Sequence, residues 1–212
     1  MGRRNFTGGL LMAPGVLLSS GCAAGNNLSR KPQTDQELKG MGYIAANDQI
    51  DPLPIPPDGL ENVYVNGITD IGAWIFSTWF GKRRGGVSIF GGATFPRWVK
   101  VTYRAPSKPN DPDYLDPRID PWLKGKVLAE YHIEVLSRIP EDVFNFTFAK
   151  RGRAIRLKFR IKVDGVLFGW DVQDMYLEIP DSPIKYAMMG GDFLDNMGRP
   201  FRPGQLIDTT KE

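Results

Sequence analysis

His132 is the only histidine in the chain, and it stands between Glu130 and Glu134 in an alternating stretch. Carboxylates and an imidazole are metal-ligating types, but side chains two apart on a strand project in parallel and do not converge on one ion. A solvated or salt-bridged histidine is the expectation. No serine occupies a G-x-S-x-G elbow, and one histidine leaves little room for a Ser-His-Asp site. Asn110 to Asp120 gathers Asp111, Asp113, Asp116 and Asp120 among prolines. It lacks the glycine and terminal glutamate of a calcium-binding EF-hand loop. Gly190-Gly191-Asp192-Phe193 spells a cyclic-dinucleotide synthase signature, without the long helical and sheet domain that such chemistry needs. The inventory therefore points away from an enzyme, and neither cofactor nor metal is expected.

A row of cations is the other chemical feature. Arg156, Lys158, Arg160 and Lys162 alternate with Ile155, Leu157, Phe159, Ile161 and Val163. Strict alternation puts the cations on one face of a strand and the apolar residues on the other. The expected cation face is solvated, with cross-strand partners such as Glu130 and Glu134. A docking surface for an acidic protein is the second possibility. Nucleic acid is not an expected partner, because such binders carry a clear cationic excess.

That excess is absent once the N-terminus is considered. MGRRNFTGGLLMAPGVLLSSG reads as a secretory signal, with Arg3 and Arg4 before an apolar run too short and too interrupted to span a bilayer. Arg3-Arg4-Asn5-Phe6 resembles the twin-arginine export motif. Leu18-Ser19-Ser20-Gly21-Cys22 resembles a bacterial lipobox, so Cys22 is the expected lipid attachment site. Ala23 after it resembles a signal for the outer membrane, on its periplasmic face. Loss of Arg3 and Arg4 takes the formal charge from +3 to +1, which leaves a nearly neutral domain. Cys22 is the sole cysteine, so no disulfide staples the fold and an apolar core must hold it.

The elements that position these residues are read as strands. Residues 1–21 are the expected signal peptide, 22–41 an unstructured polar tether, and 42–212 one domain. Gly42 to Ile50 is a first strand; Asn62 to Ile68, Trp98 to Arg104 and Val127 to Leu136 alternate with period two. Ala129, Tyr131, Ile133 and Val135 share one face of the last of these, opposite Glu130, His132 and Glu134. Asp142 to Phe148 places Phe144, Phe146 and Phe148 at the same period and is read as a strand. Ala154 to Val163 meets Val166 to Gln173 across Asp164-Gly165, a strong hairpin signal. Asn66-Gly67 and Gly85-Gly86 are expected turns, Trp98 a core aromatic, and Thr34 to Lys39 and Ile119 to Leu123 short helical turns. The expected fold is all-β, a single antiparallel sandwich behind an unstructured leader.

One succession of motifs resembles a known family. Gly42-Tyr43 through Asn47 and Ile50, then Val65-Asn66-Gly67, Gly85-Gly86-Val87-Ser88-Ile89, and Phe95-Pro96-Arg97-Trp98 to Tyr103 follow in order. This pattern resembles proteobacterial lipoproteins of uncharacterised domain type, similar to immunity proteins encoded beside type VI secretion lipase effectors. Where relatives carry a cysteine pair after the glycine-rich turn, this chain has Phe90-Gly91. The resemblance implies a periplasmic protein that binds and neutralises a secreted lipase or phospholipase. A structural or assembly lipoprotein of the envelope, without a toxin partner, stays open beside it. Recognition belongs on loops, with strands as the frame. Two loops carry charge and aromatics beyond what a neutral sandwich needs. Trp79, Lys82, Arg83 and Arg84 form one candidate surface, rich in hot-spot residue types. Asp111, Asp113, Tyr114 and Asp116 form the other, an acidic surface stiffened by Pro112 and Pro117.

Overall fold

The computed structural model describes residues 30–49, 63–79, 86–174 and 185–195. The chain order is α1 (Asp35–Leu38), β1 (Tyr43–Gln49), β2 (Tyr64–Thr69), β3 (Trp74–Trp79), β4 (Gly86–Phe90) and β5 (Trp98–Arg104). A 3-10 turn (Pro121–Leu123) follows, then β6 (Val127–Glu134), α2 (Glu141–Phe148), β7 (Arg153–Ile161), β8 (Val166–Asp174) and β9 (Lys185–Gly191). The strands form two sheets, ordered β4-β1-β7-β8-β9 and β3-β2-β5-β6. Every ladder is antiparallel except β1 on β7, which is parallel. The fold is an all-β sandwich.

Alternation explains how the sheets meet. Val99, Val101 and Tyr103 of β5 and Ile155, Leu157, Phe159 and Ile161 of β7 turn into one core. The Phe76 and Phe159 rings meet 5.3 Å apart across the two layers. Burying such a side chain is worth about 1.5–3 kcal/mol. At the far end of the β7–β8 hairpin, Tyr103 Oη donates to the carbonyls of Lys162 and Gly165, at 2.7 and 3.0 Å.

Three local expectations are overturned. Asp142 to Phe148 belongs to a helix, α2, whose buried Val143, Phe144 and Thr147 fall at helical spacing on one side. Pro140 at the N-cap and Glu141 and Asp142 in the first turn favour that start, because acids complement the helix dipole. Asn66-Gly67 lies inside β2, not at a turn. The Phe76 ring comes within 2.5 Å of where a Cβ on Gly67 would sit, so only glycine fits there. The β2–β3 turn falls later, where Thr69 N–H bonds the Ala73 carbonyl at 2.9 Å and Gly72 takes φ 78°. Trp98 is not a core residue: it lies half-buried on the outer face of β5, its ring 4.6 Å from that of His132.

The packed domain also begins before Gly42. Leu38 is in the core, Thr34 and Glu37 make a reciprocal capping box around α1, and Arg97 pairs with Asp35 at 2.6 Å. Lys31 Nζ donates to the Ser137 carbonyl at 3.0 Å. Residues 30–41 are thus laid against the sandwich.

Candidate functional site

The cation row is not a solvated face. Arg156, Lys158 and Arg160 are at most 1% exposed. Their face of the first sheet is covered by aromatic rings. The Arg156 guanidinium lies 4.1 Å from the Tyr186 ring centroid, and that of Arg160 lies 4.2 Å from Phe193. Burial without compensation would cost several kcal/mol per ion. Compensation comes from three carboxylates on three different segments. Asp171 of β8 takes Arg156 Nε at 2.9 Å and Nη2 at 2.6 Å, with Lys158 Nζ 3.3 Å away. Asp48 of β1 takes Arg160 Nε at 3.1 Å and Nη2 at 3.0 Å. Asp195 receives the other bond from Arg160 Nη2, and its carbonyl accepts from Lys158 Nζ at 2.7 Å.

The electrostatics follow from this enclosure. Burial pushes the Lys158 ammonium below its usual range against the pull of Asp171, and pushes the Asp48 carboxyl above its own against the pull of Arg160. Although burial opposes it, hydrogen bonds to Asp48 and Asp195 raise the Arg160 pKa. Neither an acidic protein nor a nucleic-acid backbone can reach these cations, so the docking possibility for this row falls with the solvated one. Lys162 alone of the four stays accessible, paired with Asp164 at 2.9 Å. Asp192 likewise has structural work: it pairs with Arg138 and accepts from Phe168 N–H at 2.8 Å.

The acidic loop is also reorganised. Asp111 accepts from Lys108 N–H at 2.6 Å. Asp113 accepts from Gly125 N–H at 2.7 Å and Ser107 Oγ at 2.9 Å; the Gly125 bond foremost holds its carboxyl below the usual range. Asp116 takes Arg118 in a two-pronged pair at 2.9 and 2.7 Å, which lowers its pKa in the same way. Lys124 Nζ ties the Tyr114 carbonyl at 2.8 Å. The carboxylates are therefore turned to the loop's own donors instead of offering an acidic surface. The large apolar side chains that the loop exposes are Tyr114, 40% exposed, and Leu115, 82% exposed. Leu115 was not singled out by sequence, because a leucine between Tyr114 and Asp116 carries no charge signal.

The other candidate surface is described only at its first residue. Trp79 is half-buried at the end of β3, its ring 3.5 Å from Tyr64 and 6.2 Å from Trp122. Asn66 Nδ2 anchors this cluster by donating to the Trp122 carbonyl at 2.6 Å. Lys82, Arg83 and Arg84, and the lipid-attachment candidate Cys22, lie outside the described residues.

His132 is exposed and its Nε2 lies 3.0 Å from Glu134 Oε1, while Glu130 turns to Lys100 at 3.4 Å. Among the described residues no group of three or more His, Cys, Asp or Glu side chains is placed to hold a metal ion. No helix among them is long and apolar enough to cross a membrane. Comparison of the chain with protein-family models, with curated proteins and with solved structures found no match.

Proposed function

We propose that this protein is a binding module: a lipoprotein held by acylated Cys22 at the periplasmic face of the outer membrane, which neutralises a secreted lipase or phospholipase effector. The observation that supports a recognition role is the loop from Ser107 to Gly125. Its carboxylates are consumed in fixing its own shape, and its exposed large apolar side chains are Tyr114 and Leu115. A pinned loop loses little entropy on binding, and an exposed aromatic beside an aliphatic residue suits a buried contact. In this proposal Tyr114 and Leu115 enter the effector's apolar substrate mouth, and Trp79 supports a second contact beside them.

The test is direct. The purified chain is mixed with the product of the adjacent gene, which this proposal expects to be a lipase, and affinity is measured for wild type, Tyr114→Ala and Leu115→Ala. A tenfold loss in either variant, about 1.4 kcal/mol, supports the assignment. Wild-type affinity in both moves the contact elsewhere on the sandwich. Failure of the wild-type protein to bind or inhibit the lipase removes the immunity function itself.

A further inference from the structure

Strand β4 ends its sheet and pairs only with β1 among the described strands. It passes near β3 at the corner of the two sheets, but no ladder joins them. Its sequence, Gly86-Val87-Ser88-Ile89-Phe90, has no charge and no proline. Edge strands normally carry such features, because an open ladder is a template for pairing with another chain. Edge strand β6 of the other sheet has them in Glu130, His132 and Glu134. Beside buried Ile44 and Ala46 of β1, Val87 and Ile89 stand on the same outer face of the sheet, 56% and 67% exposed.

The strand is also complementary to itself. An antiparallel pair of two β4 strands, centred on Ser88, sets Val87 against Ile89 of the other copy and Ile89 against its Val87. On the opposite face it sets Gly86 against Phe90, a small residue against a large one. Opposed side chains in such a ladder lie about 4.5–5.5 Å apart at Cβ. The branched aliphatics would then form one four-residue apolar cluster astride the two-fold axis, in the isologous arrangement expected of a symmetric dimer.

We infer that β4 is a self-association edge, on which a second copy of this chain adds its own β4 to make one continuous ten-stranded sheet. Tyr114 and Leu115 of the proposed effector contact are not part of β4, and self-association is read on the chain alone, so the dimer stands or falls apart from that function.

Sedimentation velocity of the full-length chain over rising concentration tests it, with Val87→Lys and Ile89→Lys as variants and circular dichroism as the check on folding. A concentration-dependent doubling of mass in wild type, lost in both folded variants, is expected. In a Cys22→Ser background, Ser88→Cys should form an intermolecular disulfide on mild oxidation, because residue 88 faces its own copy. Val87→Cys and Ile89→Cys should cross-link when mixed and not singly. A wild-type chain that stays monomeric overturns the inference and leaves the edge to an extended segment of another protein. A dimer that survives both lysine variants places the interface elsewhere and overturns it equally.

Discussion

Asp171→Asn is the sharpest perturbation of the charge ladder. The substitution preserves shape but removes the negative charge that faces both Arg156 and Lys158. All three side chains are at most 1% exposed, so water cannot replace it. Breaking a buried pair by removing one partner costs about 3–5 kcal/mol. That is a large part of a total stability of about 5–15 kcal/mol. With a urea slope of about 2 kcal/mol per molar, the unfolding midpoint should fall by about 2 M. The companion variant Arg156→Met/Lys158→Met/Asp171→Leu removes both signs of charge together and should recover most of the loss, since well-packed apolar replacements of buried ion groups are often neutral or stabilising. A midpoint in Asp171→Asn within about 0.5 M of wild type, about 1 kcal/mol, would refute burial of the ladder and restore the solvated face.

The remaining predictions concern single sites. Tyr43 Oη is buried without a hydrogen-bond partner among the described residues, so Tyr43→Phe should raise stability by about 1 kcal/mol in the same urea assay; a loss of that size would contradict it. Burial pushes the Tyr43 pKa from 10.0 up to about 12. A folded pKa above the unfolded one gives a contribution complete below pH 10 and lost as pH climbs toward about 12, so alkaline destabilisation in that window should shrink in Tyr43→Phe. Gly67→Ala drives a methyl into the Phe76 ring and should cost about 1–3 kcal/mol, read as a lower melting temperature. Asp113→Ala frees Gly125 N–H and Ser107 Oγ, and limited proteolysis should then cut between residues 107 and 125 faster than in wild type.

Most strands were legible because one face of each is wet or thinly covered and the other is apolar. In β5 Val99, Val101 and Tyr103 turn into the core as the alternation requires, and in β6 Ala129, Tyr131 and Ile133 are more buried than Glu130, His132 and Glu134. The same rule misled at β7, where alternation reports that two faces differ in chemistry but not that one is exposed. The missing signal lay in β8: Asp171 sits between Trp170 and Val172 on the face opposite the core residues Phe168, Trp170 and Val172, and pairs in register with Arg156. A carboxylate in the middle of a hairpin partner is a counter-ion for a cation row, and the Asp164-Gly165 turn already placed the two strands together. At α2, the period-two phenylalanines point to a strand, while the helix start is carried by Pro140, Glu141 and Asp142 just before them. The stretch Asp111 to Asp116 was visible as a recognition candidate, yet the division between pinned carboxylates and exposed Tyr114 and Leu115 depends on donors at Gly125 and Lys124, which sequence spacing does not bring together.

The parallel pairing of β1 with β7 has a consequence for the order in which the chain can fold. Arg160 joins Asp48, 112 residues earlier, to Asp195, 35 residues later. Until β7 has been made, β1 has only β4 beside it among the described strands, and a two-stranded ribbon is marginal in water. Contacts this distant in sequence require loop closure before they return any stabilisation, which slows folding. Sheet closure must therefore wait for the last third of the chain, and a ribosome-bound fragment ending before Arg153 has no route to the native core.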